Sequence, residues 1–344
     1  MSFPSRYWAE VALDTPALWA KISISPHDSL GRARRRLERS KTCPLDIIVS
    51  FGARIEYTSN VMEHIIHAMD LIRPALWRTK SFRLSVPNRP QAHVALMRCQ
   101  EDAPLLETLS IRIFHSMQED TYSTPHLPLF NGHTPRLRYC SLTSFNFGWD
   151  HRLVSRLRIL KLDGYFNTFT PSPNTLLGIL RECPELEELA LRNISSVDSE
   201  NCSDESNLPQ SKIHLRRLAK VSFYYAGIAL TRQIMSHISF PSLAVLEMCY
   251  LENVTPILTS LYTQALTRLP LRHLRIETCL LNEMKLVNLL RRVGSLVTLE
   301  LIDLEDVSTN LLKASILCGQ FCVTLFNHLS YRVCLYHSLG YVHG

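Results

Sequence analysis

Two groups of histidine and cysteine are the residues of this 344-residue chain that have types and spacing suited to binding a metal ion. The first is Glu63-His64-Ile-Ile-His67, with two histidines three residues apart on a predicted helix. Zinc-protease histidines lie four residues apart with the glutamate between them. Because no third ligand is evident, we interpret the pair as part of a surface or interfacial helix. The second group is Cys318, Cys322, Cys334 and His337, but the sequence has no Cys-x-x-Cys pair. We therefore predict no metal site and no cofactor.

Motifs that activate a nucleophile or bind a phosphate are missing from the sequence. It has no Gly-x-Ser-x-Gly turn, no Gly-x-Gly-x-x-Gly loop and no Gly-x4-Gly-Lys-Ser/Thr loop. Glycine, which such turns need, is scarce at 11 residues. The sequence therefore predicts a protein that is not an enzyme and has no catalytic residues.

The ten cysteines are scattered, and no secretory signal is recognisable. We expect reduced thiols in a cytoplasmic or nuclear protein. Cys99 and Cys183 fall at predicted junctions of helix and strand, whereas Cys249 and Cys279 fall near predicted strand ends. Small buried apolar side chains pack well at such places, so we interpret these four as structural thiols.

The dominant pattern of the sequence is an internal repeat of the form Leu-x-x-Leu-x-Leu. Successive units begin 20 to 32 residues apart, a spacing that overlaps the period of about 20–29 residues of leucine-rich repeats. One such match is common by chance, whereas eight at near-regular spacing are not. The eight units are Leu106-Leu109-Ile111, Leu137-Cys140-Leu142, Leu157-Leu160-Leu162, Leu186-Leu189-Leu191, Leu218-Val221-Phe223, Leu243-Leu246-Met248, Leu271-Leu274-Ile276 and Leu296-Leu299-Leu301.

Each unit predicts a short strand followed by a helix. Its last two apolar residues alternate, so they lie on one face of a strand, and the first leucine joins the same core from the preceding turn. Residues 175–180 and 284–290 have helical spacing. One unit alone cannot bury both of its faces, but stacked units can. The sequence therefore predicts an α/β leucine-rich-repeat solenoid, with a curved parallel sheet on the concave side and helices outside. Residues 44–51 and 80–86 read as two degenerate strands upstream. The alternative is a general α/β protein with leucine-rich strands.

The N-terminal residues 7–22 stand apart from the repeats. They predict a short helix that stops before Pro16, followed by a turn that presents Leu18 and Trp19. We expect Trp8 and Trp19 to form a buried pair that caps the first open end of the repeat stack, since a solenoid needs such a cap.

This segment resembles the end of the F-box in fungal F-box/leucine-rich-repeat proteins of the basidiomycete type. In that family a helix of the form Cys-x-x-Trp-x-x-apolar-Ala precedes Thr-Pro-x-Leu-Trp-x-x-Ile. Residues 37–47 are similar to the family's Leu-x-Arg-Ser-x-x-x-Pro-Leu linker, so the resemblance covers about residues 6–304. The matching residues at the start are Trp8, Val11, Ala12, Thr15, Pro16, Leu18, Trp19 and Ile22.

The resemblance implies a substrate receptor of a Skp–cullin–F-box ubiquitin ligase. The family's F-box opens with a Leu-Pro-x-Glu helix that contacts the Skp adaptor, and no such segment precedes Tyr7. We therefore expect the N-terminal part of the F-box and most of the adaptor-binding surface to be missing. The second hypothesis is a free-standing scaffold or inhibitor that binds a protein with the same repeats and has no ligase attachment.

The side chains beside each Leu-x-Leu are expected to form the partner-binding wall on the concave face. Basic residues recur in the early and middle strands, and acidic residues in the later ones. A wall graded in charge suits a polar protein surface or a peptide. The predicted binding residues are Arg112, Lys161, Asp163, Arg192, Tyr224, Glu247, Arg275, Glu277 and Glu300.

The charge of the chain does not call for a nucleic-acid or membrane partner. Its formal net charge is +6, which is mild for this length, and no uninterrupted apolar run approaches about 18 residues. The one basic run, residues 31–39, suits a solvated helix face better than a nuclear-localisation signal or a phosphate site.

Three segments follow from these patterns. We predict an F-box tail and linker helix over residues 1–41, a repeat domain over 42–306 and an atypical tail over 307–344. The tail either forms a capping helix or is poorly ordered near its end. Residues 195–207 read as a flexible acidic insertion.

Overall fold

The computed structural model describes residues 5–52, 60–115, 127–145, 147–166, 169–195, 212–264, 269–304, 322–326 and 333–335. The chain divides into two compact units, Met1–Leu157 and Arg158–Gly344. Both units are α/β, as the sequence predicts, with parallel strands joined by crossovers that contain helices. A parallel pair needs such a crossover, because the chain must return to the same end of the sheet.

The first unit contains a parallel sheet in the order β1-β2-β3-β4-β5. Short 3-10 helices cover Pro16–Trp19, Arg73–Arg78 and Phe130–Gly132. The other elements are α1 (Arg6–Leu13), β1 (Lys21–Ile24), α2 (Leu30–Arg39), β2 (Leu45–Ser50), α3 (Val61–Ile72), β3 (Thr79–Val86), α4 (Arg89–Leu96), β4 (Thr108–Ile113) and β5 (Tyr139–Thr143).

The second unit contains a sheet in the order β6-β7-β9-β11-β12-β13-β14-β15, in which β15 alone is antiparallel to its neighbour among the described strands. Strands β8 and β10 pair separately. The elements are β6 (Ile159–Phe166), α5 (Pro173–Arg181), β7 (Glu188–Ser195), β8 (Ile213–His214), β9 (Lys220–Ala226), α6 (Ile228–His237), β10 (Ile238–Ser239), β11 (Val245–Cys249), α7 (Thr255–Gln264), β12 (His273–Glu277), α8 (Glu283–Arg292), β13 (Thr298–Ile302), β14 (Cys322–Phe326) and β15 (Val333–Leu335).

The eight Leu-x-x-Leu-x-Leu repeats supply core residues to both compact units of the chain. Each of their 24 apolar residues is at most 2% exposed. Their strands pair in register, so that Leu246 lies between Val221 and Leu274 in one row across the sheet. The first leucine enters from a tight turn: the N–H of Leu186 donates to the carbonyl of Cys183 at 3.1 Å, and the units that begin at Leu218, Leu243 and Leu296 repeat this bond.

The helices begin at the residues that local capping rules favour. The Ser172 hydroxyl accepts from the N–H of Thr175 at 3.1 Å and begins α5, which has proline at its first position. The Asn282 side chain accepts from the N–H of Lys285 at 3.1 Å and begins α8. Such caps satisfy backbone donors that the helix leaves unpaired. The helices predicted over residues 175–180 and 284–290 are therefore confirmed as α5 and α8.

Several other expectations are confirmed and some are wrong. The two upstream strands are present as β2 and β3, the basic run forms α2, and α1 ends before Pro16. The sequence did not predict β1, which lies inside residues 1–41 and pairs with β2. The expected capping helix of the tail is wrong for residues 322–326 and 333–335, which are strands. Poor order was expected at the chain end, and a flexible insertion at residues 195–207. Ser195 is the last residue of β7, and the rest of both segments lies outside the described residues.

The expected tryptophan cap is wrong for Trp8, which is 63% exposed. Helix α1 buries none of its residues. Trp19 is half-buried instead, and its indole N–H donates to the carbonyl of Ala12 at 2.7 Å. The guanidinium of Arg39 lies 4.4 Å from the Trp19 ring, which explains how α2 covers this tryptophan.

Candidate functional site

One face of the sheet in the second unit remains accessible. Parallel sheets are usually covered by helices on both faces. In strands β6, β7, β9, β11, β12 and β13, however, most of the side chains that alternate with the buried leucines keep part of their exposure, although Ala190, Ser222 and Cys249 are buried. Lys161, Lys220 and Arg275 are 36–38% exposed. We call these alternating side chains the open face.

Strand register aligns the open face into rows that cross the sheet, and neighbours within a row lie on strands about 4.8 Å apart. Each row takes one side chain from each strand, so neighbours in a row can interact directly. The central row is Lys161, Ala190, Ser222, Glu247, Arg275 and Glu300. The next row is Asp163, Arg192, Tyr224, Cys249, Glu277 and Ile302. Eight of the nine predicted binding residues therefore lie on this one face.

Most charges of the open face pair with one another. Lys161 reaches Glu188 at 3.0 Å, and Lys220 reaches Glu247 at 2.9 Å. Glu247 also accepts from the Ser222 hydroxyl at 2.6 Å. The charged groups that sequence reasoning treated as a graded field are thus largely neutralised within the sheet.

Arg275 completes this arrangement at the later strands. Its guanidinium donates to the Glu277 carboxylate, with Nε at 3.1 Å, and Nη1 lies 3.5 Å from the Glu300 carboxylate. Glu277 also accepts from the Tyr250 hydroxyl at 3.0 Å. One arginine therefore holds two acids that the sequence had suggested as contacts for a partner.

These contacts change the pKa of the groups involved. Burial alone would raise the pKa of Glu277, but hydrogen bonds from Arg275 and Tyr250 outweigh it, so the pKa lies below its ordinary value. The Glu247 pKa is lowered in the same way, with burial opposed by Ser222 and Lys220. The bond to Glu277 raises the pKa of Tyr250 to about 12, because ionising the phenol would put a second negative charge beside the carboxylate.

Arg192 differs from the other cations of this face. It is exposed, and its guanidinium has no ion-pair partner within the described part of the chain. The adjacent Asp163 instead accepts from the side-chain amide of Asn193 at 2.8 Å. Arg192 therefore keeps its hydrogen-bonding capacity for another molecule.

A left-handed backbone residue occurs in or directly after each of the six strands that carry the open face. It lies two residues after the third apolar residue of each Leu-x-x-Leu-x-Leu unit, where φ is between 47° and 71°. This conformation is uncommon for residues other than glycine. It also reverses the alternation, so the following residue turns back into the core and is at most 7% exposed. The left-handed residues are Gly164, Asn193, Tyr225, Tyr250, Thr278 and Asp303, and those that follow are Tyr165, Ile194, Ala226, Leu251, Cys279 and Leu304.

The reversal creates a cluster of three tyrosines that strict alternation does not predict. Tyr225 and Tyr250 occupy equivalent positions on neighbouring strands, and their rings stack at 4.6 Å between centroids. Tyr224 meets each of them edge-to-face at 5.1 Å. Tyr225 is 51% exposed and Tyr224 is 36% exposed. We call these three residues the tyrosine cluster.

Sequence reasoning found Tyr224 but missed Tyr225 and Tyr250. A period of two places Tyr225 on the buried side, and Tyr250 lies beyond the end of β11. The sequence signal that was overlooked is an apolar or small residue three positions after the third apolar residue of a repeat unit, as in Met248-x-x-Leu251 and Leu301-x-x-Leu304. Alternation cannot place that residue in the core without a left-handed step before it.

The tyrosine cluster borders an open cleft at the carboxyl ends of β9, β11, β12 and β13. The cleft has a volume of about 560 Å³. It is lined by Tyr225, Tyr250, Leu251, Glu252, Thr278, Cys279, Leu280 and Asp303. Burial raises the pKa of the Cys279 thiol to about 11 and that of the nearby Cys249 to about 12. Both thiols are therefore protonated near neutral pH, which disfavours nucleophilic chemistry here.

The remaining predicted residues lie in the first unit. Arg112 is exposed at the end of β4, with its guanidinium 5.0 Å from the Phe114 ring. Leu18 is 58% exposed, and Pro16 is half-buried. Together with Trp8, they leave an apolar surface at the start of the chain.

The suggested metal ligands fall on different elements, and Cys322 and Cys334 of the second group lie on the paired strands β14 and β15. His64 and His67 lie on α3, and the His64 ring packs edge-to-face on Phe51 at 5.7 Å. No group of three or more histidine, cysteine or acidic side chains suited to a metal occurs among the described residues. Cys318 and His337 lie outside those residues.

No helix within the described ranges combines the length and the apolar character needed to cross a membrane. Comparison with models of known protein families gives no match, and comparison with curated proteins gives no significant match.

Proposed function

We propose that this chain is a leucine-rich-repeat protein-binding module, without catalytic activity, that holds a protein or peptide on the open face of its second unit. The observation that carries the proposal is the open face itself. A parallel sheet leaves one face uncovered, and that face presents the unpaired Arg192 beside the tyrosine cluster.

The spacing and burial of the repeat units support the leucine-rich-repeat part of this proposal. The consensus of such repeats is Leu-x-x-Leu-x-Leu-x-x-Asn/Cys. The unit that begins at Leu271 matches it through Cys279, whose thiol accepts from the N–H of Leu251 at 3.3 Å and so joins two adjacent repeats. The other units have apolar residues at this position, and all of these except the half-buried Phe114 are buried. Buried apolar residues satisfy the same core position without the hydrogen bond.

The composition of the open face supports protein binding. Tyrosine and arginine are the residue types most enriched among the side chains that contribute most to protein–protein affinity. Tyrosine gives a large contact area at a low entropic cost, since it has only two side-chain torsions. The neighbouring ion pairs already satisfy their own charges, so a partner can cover them without having to neutralise them.

The apolar surface at the start of the chain supports the more specific hypothesis of a ubiquitin-ligase substrate receptor. Tyr7, Trp8 and Leu18 are each more than half exposed, and a cluster of exposed apolar residues indicates a contact with another protein. The Skp adaptor is the partner that the family resemblance implies for this segment. The alternative remains a free-standing scaffold or inhibitor. The described cysteines are free thiols, in keeping with a cytoplasmic or nuclear protein.

The test compares proteins captured from the native cells by the full chain and by its variants. Arg192→Glu combined with Tyr224→Ala should reduce the capture of specific partners about tenfold or more, because both side chains lie at the centre of the proposed contact. Arg232→Glu is the matched control, since Arg232 is an exposed arginine on α6. If the open-face variant keeps its fold and still captures every partner at the level of the control, the proposal is wrong.

A second measurement separates the two versions of the proposal. The purified Skp adaptor is mixed with the full chain and with Trp8→Ala. Binding that depends on Trp8 supports the ligase receptor, whereas no binding supports the free-standing scaffold.

A further inference from the structure

The cleft beside the tyrosine cluster has a chemistry of its own. Two aromatic rings, Tyr225 and Tyr250, form part of its lining, and Leu280 adds an apolar surface that is 55% exposed. Two acids, Glu252 and Asp303, also line it, and no basic residue does so among the described residues. The cleft is therefore both aromatic and acidic, in contrast to the balanced charges of the central row.

Arg275, the open-face cation on β12, has no ion pair with Glu252 among the described contacts. Arg275 is held by Glu277 and Glu300. Glu252 is exposed, and its carboxylate has no ion-pair partner in the described ranges. A cation that enters the cleft would thus meet an acid that is free to bind it.

We propose that this cleft receives an arginine side chain of the partner protein, stacked on one ring of the Tyr225–Tyr250 pair and paired with Glu252 and Asp303. This inference rests on the proposed function of the open face and names the chemistry that the partner must present. The aromatic rings attract a cation through their faces. The exposed Leu280 offers a surface for the aliphatic stem of the side chain, which long basic residues bury readily.

Arginine fits this site better than lysine does. The guanidinium is planar, so it can stack on a tyrosine ring while its N–H groups, directed to opposite sides, bond two carboxylates. The lysine ammonium is a compact and strongly hydrated charge that stacks poorly. The two acids come from different strand ends, after β11 and after β13, an arrangement that suits a forked donor.

The experiment titrates the full chain with three short peptides that differ in one residue. Each has glycine and serine around a central arginine, lysine or citrulline, and citrulline keeps the shape of arginine without its charge. Leucine methyl groups are labelled with ¹³C, and the signals of Leu251 and Leu280 report on the cleft. The arginine peptide should shift these two signals with the lowest Kd, the lysine peptide should bind more weakly, and the citrulline peptide should leave the signals unchanged.

Two variants locate the site. Glu252→Gln should raise the Kd of the arginine peptide about threefold, as expected for an accessible ion pair, and Tyr225→Leu should raise it about fivefold. Glu182→Gln is the control, because Glu182 is an exposed acid at the end of α5 that does not line the cleft. Equal binding of the arginine and citrulline peptides, equal binding of arginine and lysine, or an unchanged Kd in Glu252→Gln would each overturn the inference.

Failure of this inference is distinguishable from failure of the proposed function. If the Arg192 and Tyr224 variant loses its partners but the arginine peptide leaves Leu251 and Leu280 unchanged, the open face binds protein and the arginine inference is wrong. If the peptide binds in the cleft but the Arg192 and Tyr224 variant captures the same partners as the control, the proposed function is wrong.

Discussion

The two faces of the sheet in the second unit follow different physical requirements. On the buried face, the row through Leu160, Leu189, Val221, Leu246, Leu274 and Leu299 is aliphatic throughout. On the open face, the row beside it contains lysine, alanine, serine, glutamate, arginine and glutamate. The buried row must fill a dry space at close packing, which few residue types can do. The open row needs only satisfied hydrogen bonds and charges, so its residue types can vary with the partner.

The most direct test of this difference between the faces is to truncate one side chain on each face of the same strand, β11. Leu246→Ala should lower the free energy of unfolding by about 3 kcal/mol, since it removes a fully buried side chain and leaves a cavity. The measurement is urea unfolding of the full chain. Val245→Ala is the matched control, because Val245 is the adjacent residue of β11 and lies half-exposed on the open face. It should cost less than about 1 kcal/mol. Similar losses in both variants would show that the two faces are not distinct in this way.

The same comparison explains which parts of the structure the sequence could predict. The buried residues have a fixed spacing within each repeat unit, so the core positions of eight strands and the α/β class followed from pattern alone. Strand β1 did not, because its four residues, Lys21–Ile24, are too few to reveal a period and lack a repeat signature. On the open face, the sequence supplied the positions of the side chains but not their partners. Whether Lys220 is free or paired with Glu247 depends on strand register, which is a three-dimensional property.

Backbone conformation set a second limit on what could be predicted from the sequence. The left-handed residue in or directly after each strand moves the next side chain from one face to the other, so a period of two fails at that point. Glycine or asparagine would have marked the position, as Gly164 and Asn193 do. Tyr225 and Tyr250 carry no such mark, which is why two of the three clustered tyrosines escaped prediction.

Low pH should weaken the ion pairs of the open face and leave the apolar packing of the buried face unchanged. The pKa of Glu247 in the folded protein is lowered, because Ser222 and Lys220 outweigh the effect of burial. A carboxylate with a lowered folded pKa stabilises the fold above its unfolded pKa, and this contribution is lost as the pH falls through the folded value. Unfolding free energy should therefore drop as the pH falls below about 4.3, the ordinary glutamate value.

Glu247→Gln isolates this contribution. The variant should be less stable than the parent protein by about 1 kcal/mol at pH 7, and the difference should shrink as the pH is lowered from 5 to 3. Urea unfolding at several pH values measures both. Glu182→Gln serves as the control, since the structure gives its exposed carboxylate no described hydrogen bond or ion pair. If the two variants follow the same pH dependence, the contacts of Glu247 do not stabilise the fold.

The smallest expected effect tests the boundary between the two faces. Thr278 is β-branched yet has a φ of 47°, a conformation that crowds such a side chain. Asn193 occupies the equivalent position at φ 48°, and asparagine tolerates this region better. Thr278→Asn should therefore stabilise the protein by ~0.5 kcal/mol. Its backbone N–H, which donates to the carbonyl of Ile302 at 2.9 Å, is kept.

Thr298→Asn provides the opposite expectation at the start of β13. There the backbone is an ordinary strand, in which threonine is favoured over asparagine. The same substitution should thus raise the melting temperature at position 278 and lower it at position 298. A decrease of the melting temperature at both positions would mean that the left-handed conformation does not destabilise threonine at position 278. The packing of the buried residue that follows, Cys279, would then favour this conformation without any strain in the threonine.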